Sequence, residues 1–265
     1  MFISQYKHDK RGQVTLFIII ALVIIAMIAL LAYFWNDIKS ITVETTPQSF
    51  IESCMNTPID SAVNDVFLHG GTAAQKNFIN YNGEKIEYLC YTNEYYKTCV
   101  VQQPLLKQSI ERELNSLLKS QAKVCIDSLK EDMTSKGYSV NSDNRVDFIT
   151  NLSLDKADFI ISTPIVFTKG DASQSFSHFT ISRRSKLYEL IMSAVYILNW
   201  EARYGDFDIL TFMFSYPDLR LEKLKQSEGS KIYILSSRST NEKFIFASRS
   251  ISWPPGFAVN ERVGE

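Results

Sequence analysis

Four cysteines, Cys54, Cys90, Cys99 and Cys125, are the residues of this chain best suited to covalent chemistry. A zinc site needs close pairs of the C-x-x-C kind, whereas the nearest two cysteines here are nine apart and only His8, His69 and His178 could assist. An even count without such pairs reads as two disulfides, with three possible pairings. The short loop before Cys99 makes a local Cys90–Cys99 bridge sterically plausible, and a Cys54–Cys125 bridge would staple two helices if their apolar faces pack. His69-Gly70-Gly71 has the form of a lipase oxyanion loop, but the accompanying G-x-S-x-G is missing, so a helix closed by glycines is the better account. Asp206 and Asp208 would share one side of a strand and lack a third ligand for a cation. There is no phosphate-binding glycine loop, no dinucleotide fingerprint and no H-E-x-x-H. No catalytic, cofactor-binding or metal-ligating set emerges, and no enzyme is expected. Asn151-Leu152-Ser153 fits the acceptor pattern for N-glycosylation. Tyr88, Tyr91, Tyr95 and Tyr96 make either a sticky loop or cross-strand pairs, and the second suits the hairpin around them.

The elements that must hold these residues begin with an apolar rod. Val14 to Trp35 carries no formal charge and is nearly all apolar. As a helix it would cover roughly 33 Å, enough for a hydrocarbon core of about 30 Å. Lys7, Lys10 and Arg11 precede it, which places the N-terminus in the cytoplasm and the remaining chain outside. Tyr33, Phe34 and Trp35 close the far end with rings that favour the headgroup zone, where a cleavable signal peptide would carry small residues. All four cysteines then lie in the compartment where disulfides persist. Residues 13–265 hold 25 basic residues against 28 acidic ones, a formal charge of −3, which argues against a nucleic-acid surface.

Beyond a polar neck, Thr46 and Pro47 open a helix whose face runs through Phe50, Ile51, Cys54 and Met55. Pro58 interrupts or restarts it, Ile59, Ala62, Val63 and Val66 continue the face, and Gly70-Gly71 ends it. Asn82-Gly83 sets a type I′ hairpin between Ile79 and Tyr81 on one side and Ile86, Tyr88 and Cys90 on the other. Pro104 to Lys136 reads as one helix through Ile110, Leu114, Leu117, Ala122, Cys125, Leu129 and Met133, capped by Gly137. The period then changes to two. Strands are expected from Val146 to Leu154, over 157–170 with a break or an edge at Pro164, over 174–184, over 208–216, and in the pair 231–237 and 243–250. A helix from Ser185 to Tyr204, stopped by Gly205, lies among them. Helices first and then a mostly antiparallel sheet with one helix against it is an α+β pattern.

Arg11-Gly12-Gln13-Val14-Thr15-Leu16-Phe17 resembles an archaeal class III, type IV prepilin-like signal peptide. The resemblance implies peptidase processing between Gly12 and Gln13 with retention of the apolar helix. Thr15 stands where that motif usually has Ser. Phe17 stands where it usually has the Glu that pairs with a neighbour's new amino terminus during assembly. From Arg11 to about Tyr204 the chain also resembles a group of archaeal single-pass membrane proteins with no assigned activity. The matches are Ile51 to Cys54 ("IESC"), Gly70-Gly71, "VCIDSL", "KGYSV" and "PIVFTKG". That resemblance implies architecture only, and with it the pairing of Cys54 with Cys125 and of Cys90 with Cys99.

The expected organisation is a cytoplasmic basic segment (1–12), a transmembrane or pilin-like helix (13–35), a neck (36–46), a disulfide-stapled helical part with a hairpin (47–137), a β-rich part with one helix (138–256) and a tail (257–265). The expected function is a membrane-anchored, extracytoplasmic α+β domain with a non-enzymatic role in envelope structure or surface contact. Its partners would be the lipid bilayer and copies of itself or other envelope proteins, without nucleic acid or cofactor. The rival is a pilin-like filament subunit, favoured by the small residues Ala26, Ala29 and Ala32 and opposed by Phe17. An exported enzyme is the weaker third reading.

Overall fold

A computed structural model of the protein describes residues 19–30, 46–143 and 145–253. Gly12, Gln13 and both ends of the apolar run lie outside the described residues. Residues 19–30 form a helix, α1, with every side chain exposed. Among the described residues no helix is long and apolar enough to cross a membrane.

The described chain from Pro47 onward is one compact unit. Its elements in order are α2 (Pro47–Leu68), β1 (Phe78–Tyr81), β2 (Glu84–Tyr91), β3 (Val100–Val101), α3 (Leu106–Ser135), β4 (Ser139–Ser142), β5 (Asp147–Ser153), β6 (Lys156–Lys169), β7 (Ala172–Arg184), α4 (Leu187–Tyr204), α5 (Ile209–Ser215), β8 (Leu219–Lys225), β9 (Ser230–Ser237) and β10 (Lys243–Arg249). This is an α+β fold, but with two sheets. In the larger, the order is β1-β2-β10-β9-β8, with β3 against the far end of β2. In the smaller, β6 pairs with β7 along its length and with β5 and then β4 along its other edge. All pairings are antiparallel except β2 with β10. The hairpin is therefore no appendage: β2 lies inside the larger sheet beside the last strand.

Each helix follows its apolar spacing. α3 buries Leu106, Ile110, Leu114, Leu118, Ala122, Cys125, Leu129 and Met133 at three- and four-residue steps, and Leu117 is only half-buried beside Leu118. Gly137, at φ 84°, turns the chain out of α3, and the Tyr138 N–H returns to the Met133 carbonyl. α2 runs unbroken through Pro58. It ends where Gly71 N–H bonds the Val66 carbonyl. A Cβ on Gly70 (φ 81°) would lie 2.8 Å from Glu87 Cβ, so only glycine fits the crossing onto β2. In the β1–β2 turn Asn82 and Gly83 both take positive φ, as a type I′ turn demands. Pro164 sits at a register shift in β6, between Ser162 and Ile165, where its missing N–H breaks no ladder bond.

One expected strand is corrected. Residues 208–216 form α5 instead, because the Asp208 side chain accepts the Leu210 N–H and caps a helix, and only Phe212 of the segment is fully buried. Three strands had not been expected: β3, β4 and β8.

The outer edge of β5 is covered in an unusual way. Its Thr150 N–H donates to Asn115 Oδ1 (2.6 Å) and its Leu152 N–H donates to Glu111 Oε1 (2.8 Å), both on α3. Side chains of a helix thereby take the place of a neighbouring strand and blunt an edge open to foreign pairing. The core joins both sheets and α2, α3 and α4 in one apolar cluster, with Ile86, Tyr88 and Ala247 as a small satellite.

Candidate interaction surface

The four cysteines close as two disulfides. Cys54–Cys125 joins α2 to α3 across 71 residues, and Cys90–Cys99 ties β2 to the segment before β3. Among the described residues no cysteine is free. Asn151 is exposed in β5 opposite Asp158, so the glycosylation triplet lies on a strand. The tyrosine cluster divides: Tyr88 is buried with its hydroxyl 2.7 Å from Ser230 Oγ and its ring 5.0 Å from Tyr91, while Tyr95 and Tyr96 are exposed on the following loop, Tyr96 against Trp253. Asp206 and Asp208 do not share a strand. Asp206 meets Lys223 Nζ at 2.9 Å and Lys231 Nζ at 3.3 Å, and Asp208 caps α5. Burial pushes the Asp206 carboxyl up, but the Lys223 hydrogen bond and the nearby lysine charges outweigh it and hold it below the usual carboxylate range. Among the described residues no three His, Cys, Asp or Glu side chains converge as a metal ion would need.

The most chemically distinctive buried group is Glu201, at 0% exposure on α4. Its carboxylate accepts from Lys231 Nζ (2.8 and 3.1 Å), from the Tyr233 hydroxyl and from Ser248 Oγ (3.0 Å). Ser250 Oγ donates to the Glu201 carbonyl, and Lys231 also reaches the Gly205 carbonyl. Burial and the Glu201 charge push the Tyr233 phenol far above its ordinary value, so it stays protonated as a donor. A general acid or base must present an atom to a substrate. This carboxylate is wholly buried among its partners, so the network fastens the end of α4 to β9 and β10 instead.

That fastening matters for what lies on the outward side of the same helix turns. Tyr196, Trp200 and Tyr204 recur at four-residue spacing and point outward. Gly205, at φ 82° and with a virtual Cβ 2.1 Å from Ile251 Cδ1, stops α4. Phe207 then turns inward under Tyr196 and Trp200, with ring centroids at 5.7 and 6.2 Å. Phe212 packs on Phe207 at 5.8 Å and stacks on Tyr216 at 4.8 Å. Trp200 and Tyr204 lie 4.7 Å apart, and the Arg203 guanidinium sits 5.2 Å from the Tyr204 ring. Leu210 and Phe214 stand furthest out, at 72% and 91% exposure. Exposed apolar side chains thus stand on both α4 and α5, joined beneath by the buried rings of Phe207 and Phe212, the kind of feature that marks a contact site.

None of these residues stood out as a site in the sequence. The signal was present in Tyr196, Trp200 and Tyr204, large rings four apart on the side of α4 that should be polar. In Leu210 and Phe214 it was hidden by the strand-like reading of 208–216. In comparisons with known proteins, no family model matches the chain, and neither a curated protein nor a solved structure matches it.

Proposed function

We propose that this is a membrane-anchored protein that holds an α+β domain on the extracytoplasmic side, with a non-enzymatic role in envelope structure or surface contact. The observation that carries the reading is an uncharged apolar helix, α1, whose described side chains are all exposed, in a chain whose described cysteines are all disulfide-bonded. Exposed Ile, Leu and Val in such number need a bilayer or neighbouring helices around them, and paired cysteines belong to an oxidising compartment. The charge of Lys7, Lys10 and Arg11 sets the N-terminus inside. Protease added to intact cells should digest the domain, and alkaline carbonate should leave the chain in the membrane fraction. Protection in intact cells with digestion after lysis would overturn the orientation.

A second reading, a pilin-like filament subunit, draws on Arg11-Gly12-Gln13 and on the small residues Ala26, Ala29 and Ala32. Mass spectrometry of the mature N-terminus separates the two in part, and electron microscopy of surface filaments then tests assembly itself. Gln13 as the first residue favours the filament route, and an intact Met1 excludes prepilin processing.

A further inference from the structure

We propose that the aromatic surface on α4 and α5 seats the domain on the bilayer that anchors it, with Leu210 and Phe214 entering the boundary between headgroups and acyl chains. The proposal rests on the membrane-anchored reading above.

The grading of the surface chooses the partner. Its most protruding side chains, Phe214 and Leu210, are purely apolar, while Tyr196, Trp200, Tyr204 and Tyr216, less exposed at 37–51%, have an apolar body and a polar tip. A shallowly inserting face has this order, with hydrocarbon deepest and Trp and Tyr at headgroup level. A protein–protein hot spot would instead centre its Trp and Tyr in a desolvated pocket behind a polar rim. Arg203, exposed beside Tyr204, offers a cation at the level of lipid phosphates. Of the carboxylates near it in sequence, Asp206 is occupied by lysines and Asp208 by the start of α5, which lessens their repulsion of those phosphates, while Asp218 is exposed two residues beyond Tyr216.

The tether supplies the proximity. The neck of residues 36–46 spans at most about 39 Å when extended. A domain of some 200 residues has a radius of gyration of about 17 Å, so a neck of that reach keeps the domain beside the membrane. Tethering turns even a weak apolar contact into an intramolecular one at millimolar effective concentration. The Glu201–Lys231–Tyr233 network holds the α4 part of the surface in place beforehand, so seating orders no new backbone there.

The test uses the full chain in phosphatidylcholine vesicles, with Trp35→Phe and Trp253→Phe so that Trp200 is the sole tryptophan. Lipids brominated near the top of the acyl chain should quench Trp200 emission by about twofold, as expected for a ring at the interface. The double variant Leu210→Asp/Phe214→Asp should abolish that quenching and raise quenching by acrylamide. Both positions are exposed, so its melting temperature should match the parent's. Carbonate-resistant protein with unquenched Trp200 would overturn the proposal and leave the anchor standing. Cross-linking of this surface to a second copy would likewise overturn it, in favour of self-association. Extraction by carbonate would remove the anchor and the proposal together.

Discussion

Two ionisable residues define what single side chains do here. His69, where α2 gives way to the glycines, reaches the Asp65 carbonyl with Nδ1 and Glu84 with Nε2 (3.1 Å), and so ties the helix end to the β1–β2 turn. Burial lowers its pKa, but the Glu84 and Asp65 hydrogen bonds and both carboxylate charges outweigh that and raise it above 6.5. A raised folded value means that protonated His69 stabilises the fold fully below the unfolded pKa and loses this contribution as pH rises through the folded pKa. Urea midpoints should therefore fall between pH 6 and pH 8.5 in the parent and fall less in His69→Gln. Equal slopes would remove His69 from the account. Glu201 answers to a different rule. Glu201→Ala leaves the buried Lys231 ammonium with only the half-exposed Asp206 as a carboxylate partner and should cost about 3–5 kcal/mol. The pair Glu201→Met/Lys231→Met should cost less than Glu201→Ala alone, since two well-packed apolar chains leave no orphan charge between them. A double variant as damaged as the single one would show that Tyr233 and Ser248 need the carboxylate more than Lys231 does.

Among the elements, α2 and α3 are the pair held covalently. Closing a 71-residue loop should stabilise by about 4 kcal/mol through the unfolded chain. Cys54→Ser/Cys125→Ser should thus lower stability more than Cys90→Ser/Cys99→Ser, whose loop is nine residues. Equal losses on denaturant titration would shift the explanation to local packing. These helices were legible in the sequence because α3 and α4 each keep one apolar stripe. Segment 208–216 was not, since Ile209, Leu210, Phe212, Met213 and Phe214 place apolar residues on every side and neither period prevails. β8 escaped notice because Arg220, Glu222, Lys223 and Lys225 dominate its composition, although Leu219 and Leu221 are buried. The interaction surface was half visible: its α4 rings keep helical spacing, but exposure depends on what packs elsewhere. The buried Glu201–Lys231 contact joins residues 30 apart and has no local signature at all.

At the scale of the molecule, a deletion tests the architecture most severely. A chain stopped after Ser237 keeps every helix and nine of the ten described strands, yet it should show no cooperative unfolding transition. A sharp transition in that truncated form would mean that the smaller sheet and its helices fold alone. The reason lies in where β10 sits, between β2 and β9, with Arg249 opposite Tyr91 and the Ile251 N–H on the Lys97 carbonyl. A ribosome delivers a polypeptide from its beginning, and here the segment that fills the middle of a sheet is delivered after every other described strand. β2 must wait for a partner made some 150 residues later, so the larger sheet closes only once β10 is delivered. During that interval Cys90 and Cys99 are close enough in the chain to bond early, before the centrepiece appears.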